Sequence, residues 1–317
     1  MANETVAAPQ GAATSSPAIH TVDLTKRFGS TLALAGLSMT VPRGEVFGFL
    51  GPNGAGKTTA VKVLLGLLAP SSGEGWLLGH PIGDLGTRRR IGYLPELFRY
   101  QAWLSAREVL AVHCELAPLP RARWKEAIAE SLDVVGLTDR AKDRVGTFSK
   151  GMQQRLGLGA ALLGSPELVF LDEPTSALDP VGRHDVRRII RELADRGTAV
   201  FLNSHLLSEV EQVCDRVAVV DHGRVIASGT MGELLTGSAV YVRATGLDAD
   251  AKSKLAASFG PLDDEGERIT FTKLGQDRIP ELVAQVVAAG GRVYEVIPRH
   301  QTLEDRFLQL LGEEEAR

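Results

Sequence analysis

GPNGAGKTT, residues 51–59, decides the fold of this chain. It holds the spacing Gly-x-x-x-x-Gly-Lys-Thr, from Gly51 through Gly56 and Lys57 to Thr58. The apolar run VFGFL (residues 46–50) stands directly before it and AVKVLLGLL (residues 60–68) directly after. A buried strand, a glycine loop and a helix in that order form a phosphate cradle. Glycines at 51, 54 and 56 let backbone N–H groups curl around phosphate oxygens that side chains would obstruct, with Pro52, Asn53 and Ala55 completing the loop. The helix starting near Lys57 adds about half a unit of positive charge at its N-terminus. Lys57 is expected to reach the β- and γ-phosphates, the Thr58 hydroxyl to bind Mg2+, and Thr59 to contact the α-phosphate. A nucleoside triphosphate is the expected ligand.

Outward from the loop, β-type runs cover residues 19–24 and 37–41, with Pro42-Arg43-Gly44-Glu45 as a turn before the central strand. Pro70 and Gly73 are read as the stop of the first helix. Residues 101–163 turn helical. Ser105 and Glu108 have capping-box spacing, a second helix is expected over 122–135, and a third after Gly151. Strand signals at 168–171, 199–203 and 217–220 alternate with helices at 181–194 and 206–214, which implies a largely parallel sheet flanked by helices. Asp221-His222-Gly223-Arg224 reads as a hairpin turn into 225–228.

Composition shifts near Thr236-Gly237-Ser238. Beyond it the expected order is strand, helix, strand, helix, strand, helix, at 239–244, 249–259, 268–272, 280–289, 292–297 and 303–311. The expected organisation is a disordered lead-in over 1–18, a nucleotide-binding domain over 19–237 with a helical subdomain at about 101–163, and a small α+β domain over 238–317. No internal repeat is visible.

The 317 residues leave room for two domains, and 44% hydrophobic with 23% charged residues is ordinary globular composition. Thirty-five basic against 39 acidic residues give a formal net charge of −4, which disfavours a surface built to neutralise a nucleic-acid backbone. Cys114 and Cys214 stand in no metal-like spacing, so a reduced compartment and core positions are expected for both. No apolar run approaches the roughly 18–20 residues of a membrane span. The N-terminus lacks a basic cluster and an apolar core, so no signal peptide is expected there.

Three further strings follow in order: FSKGMQQ (residues 148–154), LVFLDEP (residues 168–174) and His205 in LNSH. LVFLDEP resembles the Walker B strand of ATP-binding cassette (ABC) ATPases, an apolar strand ending in two carboxylates. The resemblance implies that Asp172 holds Mg2+ and that Glu173 polarises the attacking water, as in-line phosphoryl transfer needs. FSKGMQQ is similar to the ABC signature, with Ser149 and Gly151 matching and Phe148, Lys150 and Met152 departing. In that family this serine and glycine meet the γ-phosphate of a partner subunit's ATP.

The same resemblance implies further roles. Ser176-Ala177-Leu178-Asp179 looks like the D-loop, which places Asp179 at a dimer interface. His205 falls at the switch histidine, and Phe28 in KRFG where an aromatic stacks on adenine. The family usually carries glutamine where IGYLPE (residues 91–96) has Glu96, whose carboxylate can still offer oxygen to Mg2+. IGYLPE with the SKGM variant resembles the subgroup serving ABC-2 type exporters, so residues 96–101 would face a permease. The implied fold is α/β: an ABC-type P-loop NTPase core with an antiparallel β subdomain and a helical subdomain, plus a small C-terminal α+β domain. The implied protein is an ATPase binding ATP and Mg2+, homodimeric through its ATP sites and peripheral on the cytoplasmic face of the cell membrane. It would power export through a separate permease and bind no nucleic acid. The alternative is a non-transport ABC ATPase acting on ribosomes or DNA, for which a single cassette and near-neutral charge are poor fits.

Overall fold

A computed structural model describes residues 16–235, 238–271, 274–300 and 302–315. Most of the lead-in expected over 1–18, and Thr236 and Gly237 at the shift in composition, lie outside the described residues. The chain forms two compact units, residues 1–205 with 220–225, and residues 206–219 with 226–317.

The first unit contains two sheets. β1 (Ile19–Phe28), β2 (Thr31–Val41), β4 (Ser72–Leu77) and β5 (His80–Pro81) form an antiparallel sheet in the order β2-β1-β4-β5. β3 (Val46–Leu50), β6 (Ile91–Leu94), β7 (Leu168–Asp172) and β8 (Ala199–Asn203) are parallel, in the order β3-β8-β7-β6. Every residue of β3, β7 and β8 is buried. Parallel strands covered on both faces must be apolar throughout, which is why VFGFL and LVFL carry no alternation. Phe47, Phe49 and Phe170 all pack on Phe201, with ring centroids 5.1–6.0 Å away. The polar residues that break this rule, Asp172 and Asn203, are paired at the C-terminal ends of β7 and β8. Ligands of open α/β sheets bind at that edge.

The helices of this unit are α1 (Lys57–Leu64), α2 (Leu85–Arg88), α3 (Ala106–Leu116), α4 (Trp124–Val134), α5 (Lys150–Leu162) and α6 (Pro180–Asp195). The Ser105–Glu108 capping box opens α3 as expected. α1 ends before the expected stop. Gly66 adopts φ 67°, its N–H donates to Val63 O, and Leu67 N–H donates to Lys62 O. That glycine closure ends the helix ahead of Pro70.

At the opposite end of the parallel sheet Glu167 accepts from Arg43 at 2.9 Å and from Arg90 Nη2 at 2.7 Å. Hydrogen bonding from Arg90 is the largest cause holding its carboxyl down at about 2. A carboxyl depressed in the folded state contributes stability above its unfolded value and loses it as pH falls through the folded one. The Glu167→Gln chain should therefore melt below the parent at neutral pH, and the gap should close as pH falls from about 4.5 toward about 2. Melts across that range check it; a gap independent of pH would place the stabilisation elsewhere.

The second unit holds α7 (Leu207–Val213), most of β9 (Arg216–Asp221) and β10 (Arg224–Thr230), α8 (Met231–Leu234), and a β-α-β-β-α-β module. The module runs β11 (Ser238–Thr245), α9 (Ala249–Phe259), β12 (Leu262–Glu265), β13 (Arg268–Phe271), α10 (Ile279–Ala288) and β14 (Arg292–His300). Its antiparallel order is β12-β13-β11-β14. Val240, Val242, Ile269 and Phe271 from the strands pack with Leu255, Phe259, Leu282 and Val286 from the helices. β12 had no sequence signal because LDDE is an edge strand with its acidic residues exposed, the composition that blunts sheet edges. α11 (Leu303–Glu315) follows, and Glu211 of α7 accepts from Leu303 N–H at 3.0 Å.

Candidate functional site

The loop between β3 and α1 is shaped by what its glycines exclude. A Cβ at Gly51 would stand 2.2 Å from Val220 O, and one at Gly56 2.3 Å from Ala33 O. Gly56 also adopts φ 99° as the cap of α1, a conformation that favours glycine. No side chain caps α1, so its first N–H groups turn toward the loop. Thr58, Asn53 and Gly54 are exposed, while Ala55 is buried beneath them.

Lys57 Nζ donates to Gly51 O at 2.7 Å and Pro52 O at 3.1 Å, across the mouth of the loop. Burial lowers its pKa, and Glu173, Asp172 and Glu96 act in the opposite sense. One amine therefore lies in the field of three carboxylates. Asp172 is 3% exposed, and burial raises its pKa; the Asn203 amide bonded to it lowers it, and Glu96 and Glu173 raise it further. Glu96 itself follows β6 and is exposed. An anionic, oxygen-rich pocket with an excess of carboxylate over amine fits a hard divalent cation. Among the described residues no cluster of three or more His, Cys, Asp or Glu side chains forms a metal cage.

Glu173 is the most constrained residue of the site. It is 7% exposed and adopts φ 52°, which costs a non-glycine residue about 1–2 kcal/mol. Such strain persists where neighbours over-determine it. Its N–H donates to Asn203 O at 2.8 Å. Its Oε1 accepts from His205 N–H at 2.8 Å and lies 2.8 Å from His205 Nδ1. Ser204 Oγ stands 3.4 Å from Oε2. The result is a carboxylate aimed and held, with the His205 ring more than half exposed beyond it. A carboxylate positioned this way can accept a proton from a water in the pocket.

The remaining residues named from the sequence are positioned as follows. Phe28 ends β1, is 47% exposed, and has Lys26 Nζ 5.0 Å from its ring centroid, so it is a surface aromatic and not a core one. Ser149 caps α5 by accepting from Met152 N–H at 3.2 Å, a bond that leaves its hydroxyl proton unspent. Gly151, in the first turn, packs against Leu178; a Cβ there would lie 3.2 Å from Leu178 Cδ2. Asp179 caps α6 by accepting from Gly182 N–H at 2.8 Å and is exposed. The loop, Asp172, Glu173, Glu96 and His205 thus converge, whereas Ser149, Gly151 and Asp179 line the start of α5 and the loop before α6.

Two functional candidates were missed. Asn203 donates from Nδ2 to Asp172 Oδ1, while its Oδ1 is buried with no hydrogen-bond partner among the described residues. Gln154 donates to Glu173 O at 3.3 Å. The signal for Asn203 was a polar residue closing an otherwise apolar strand; for Gln154 there was none beyond its place in FSKGMQQ.

Residues 34–176 match the family described as ABC transporter. The chain is 37% identical over 302 residues to the bacitracin transport ATP-binding protein BcrA of Bacillus licheniformis, covering 93% of this chain and 97% of that one. It is 36% identical over 299 residues to the Nod factor export ATP-binding protein I of Rhizobium sp. (strain N33), covering 94% and 98%. Among solved structures, an ATP-binding subunit of an ABC transporter superposes with a TM-score of 0.63 at 30% identity, over 68% of this chain and 91% of that chain.

Proposed function

For this chain, which belongs to the ABC transporter family of ATP-binding proteins, we propose a motor of an exporter in which two copies share their ATP sites. The chain binds and hydrolyses ATP to power transport, and a role on ribosomes or DNA is not favoured. The observation that carries the catalytic reading is the geometry of Glu173, restrained at its backbone and at both carboxylate oxygens beside the phosphate loop.

In this reading the loop amides and Lys57 bind the triphosphate and Phe28 stacks on adenine. Glu173 takes the proton of the attacking water, and His205 holds Glu173 in line while its outer ring edge reaches toward the γ-phosphate. Ser149, Gly151 and Asp179 act on the partner copy's nucleotide. Mg2+ would be held by the Thr58 hydroxyl, Asp172 and Glu96; when bound, it neutralises charge on the phosphates. Asn203 then acts through Asp172. The Asn203→Ala chain should need more Mg2+ for half-maximal hydrolysis and lose roughly 10–100-fold in turnover, as loss of an outer ligand support does. Magnesium titrations of ATPase rate read this, and an unchanged half-point would remove Asn203 from the site.

Export and an ABC-2 type permease are supported by the export role in the name of the Nod factor relative and by the IGYLPE and SKGM variants. No helix among the described residues is long and apolar enough to cross a membrane; in this reading a separate permease crosses it. A docking face for it is supported by Leu97 (87% exposed) and Trp103, beside Phe98, Tyr100 and His113 in ring contact. Burial pushes the Tyr100 hydroxyl up to about 12 and lowers the pKa of His113, so neither of these two side chains adds charge at neutral pH. The chain then works at the cytoplasmic face of the membrane, with 238–317 as an accessory domain. Co-purification from detergent-solubilised membranes with a six-span permease tests the assignment. Retention on nucleic acid in a salt-sensitive manner, without a permease, would overturn it.

A further inference from the structure

Glu173 is gripped from two directions. Its side chain and N–H are held by residues 203–205, at the end of β8 and just beyond. Its carbonyl oxygen accepts from Ser176 Oγ at 3.1 Å, within its own loop, and from Gln154 Nε2 at 3.3 Å. Gln154 is the one of these partners that comes from α5. It is 5% exposed, and the other buried residues of α5 are Leu156, Gly157, Leu158, Gly159 and Ala161. A buried amide in such company needs a hydrogen-bond partner, and among the described residues the Glu173 carbonyl is the one it has.

The same two turns of α5 touch the segment after Glu173 at other points. Gly151 lies against Leu178, and Arg155 Nη2 bonds Asp185 Oδ2 at 3.2 Å. The start of α5 and the segment running on from Glu173 are therefore packed as one block. Ser149, which caps that helix, is about 7.5 Å along the axis from Gln154. A displacement at the cap reaches the Gln154 amide through a rigid element, not through a flexible loop.

We infer that Gln154 is a positioning residue that couples the two ATP sites: engagement of the partner copy's triphosphate at Ser149 moves α5, and Gln154 thereby sets the backbone of this copy's own Glu173. The inference rests on the shared-site reading above. In a dimer of that kind Ser149 serves one nucleotide and Glu173 of the same chain serves the other, so Gln154 is the link between them. The left-handed backbone at Glu173 makes it sensitive, because a strained conformation is held only while its restraints remain in place.

The test uses the full chain with Gln154→Glu, which keeps the shape and removes the donor, and Gln154→Met, which removes all polarity. ATP affinity should stay within about twofold of the parent, because the phosphate loop is untouched, while kcat falls about tenfold. Hydrolysis against ATP concentration should lose its cooperativity, the Hill coefficient falling from above one in the parent to one in both variants. Thermal melts accompany each variant, so that rates are compared at a temperature where both are folded. Parent-like cooperativity in the variants, with or without a lower kcat, overturns the coupling and leaves the shared sites standing. A parent chain that hydrolyses ATP as a monomer with no cooperativity overturns the shared sites themselves, and the coupling with them.

Discussion

The Glu173→Gln chain is expected to bind ATP as the parent does, to accumulate as an ATP-bound dimer, and to lose roughly two to four orders of magnitude in turnover. Glutamine preserves shape and volume, so the left-handed backbone and its bonds to Asn203 and Gln154 remain. What disappears is the ability to accept a proton from water. The amide also changes the bond to His205, because one terminal group that accepted from the His205 N–H and faced its Nδ1 becomes a donor or turns away. Nucleotide affinity should be kept, since Glu173 opposes phosphate charge and removing its own charge does not weaken the pocket. Rapid mixing with radiolabelled ATP measures the chemical step, and light scattering or sedimentation measures the dimer. Hydrolysis at the parent's rate would remove Glu173 as the base.

The Lys57→Met chain should lose ATP binding by about two to three orders of magnitude while remaining folded. Lys57 is the amine that sits in the field of Asp172, Glu173 and Glu96, and without it three carboxylates face a polyanionic ligand. Two unit charges 4 Å apart at an effective dielectric near 20 interact by about 4 kcal/mol, so one lost amine accounts for an effect of that size. Its bonds to Gly51 O and Pro52 O add a second loss, because they brace the mouth of the loop. Methionine keeps the half-buried stem in place, which separates the charge from the packing. Equilibrium binding of a fluorescent ATP analogue, with a melt for folding, gives the result. Affinity within tenfold of the parent would mean that loop amides alone carry the phosphates.

Much of the site was legible because its parts are local. The loop glycines, Lys57 and Thr58 lie within eight residues, and a strand before with a helix after is itself a sequence pattern. The Ser105–Glu108 capping box was readable for the same reason, since both partners sit in one turn. Asn203 showed only as a polar residue closing an apolar strand, with nothing to name its role, and Gln154 was not legible. Their partners Asp172 and Glu173 lie 31 and 19 residues away, and a lone polar residue at a strand end or in a helix has no period to betray it. β12 escaped because its charges face solvent at a sheet edge, where pairing to β13 and not hydrophobic burial makes it a strand. The end of α1 was misplaced because Gly66 and Leu67 close it through bonds to Val63 and Lys62, ahead of the proline that looked like the stop.

Chemistry carried by neighbours in the chain was an expectation that the order of residues alone could raise: a triphosphate cradle, two adjacent carboxylates at a strand end, a histidine after the next strand. Backbone turns and helix starts depend on bonds spanning three or four residues, so their information travels with the string. Which atoms restrain Glu173, and from which helix, was decided only when β7, β8 and α5 packed together. Those contacts depend on the depth and register of buried surfaces, a property of the assembled core that no stretch of the chain holds by itself.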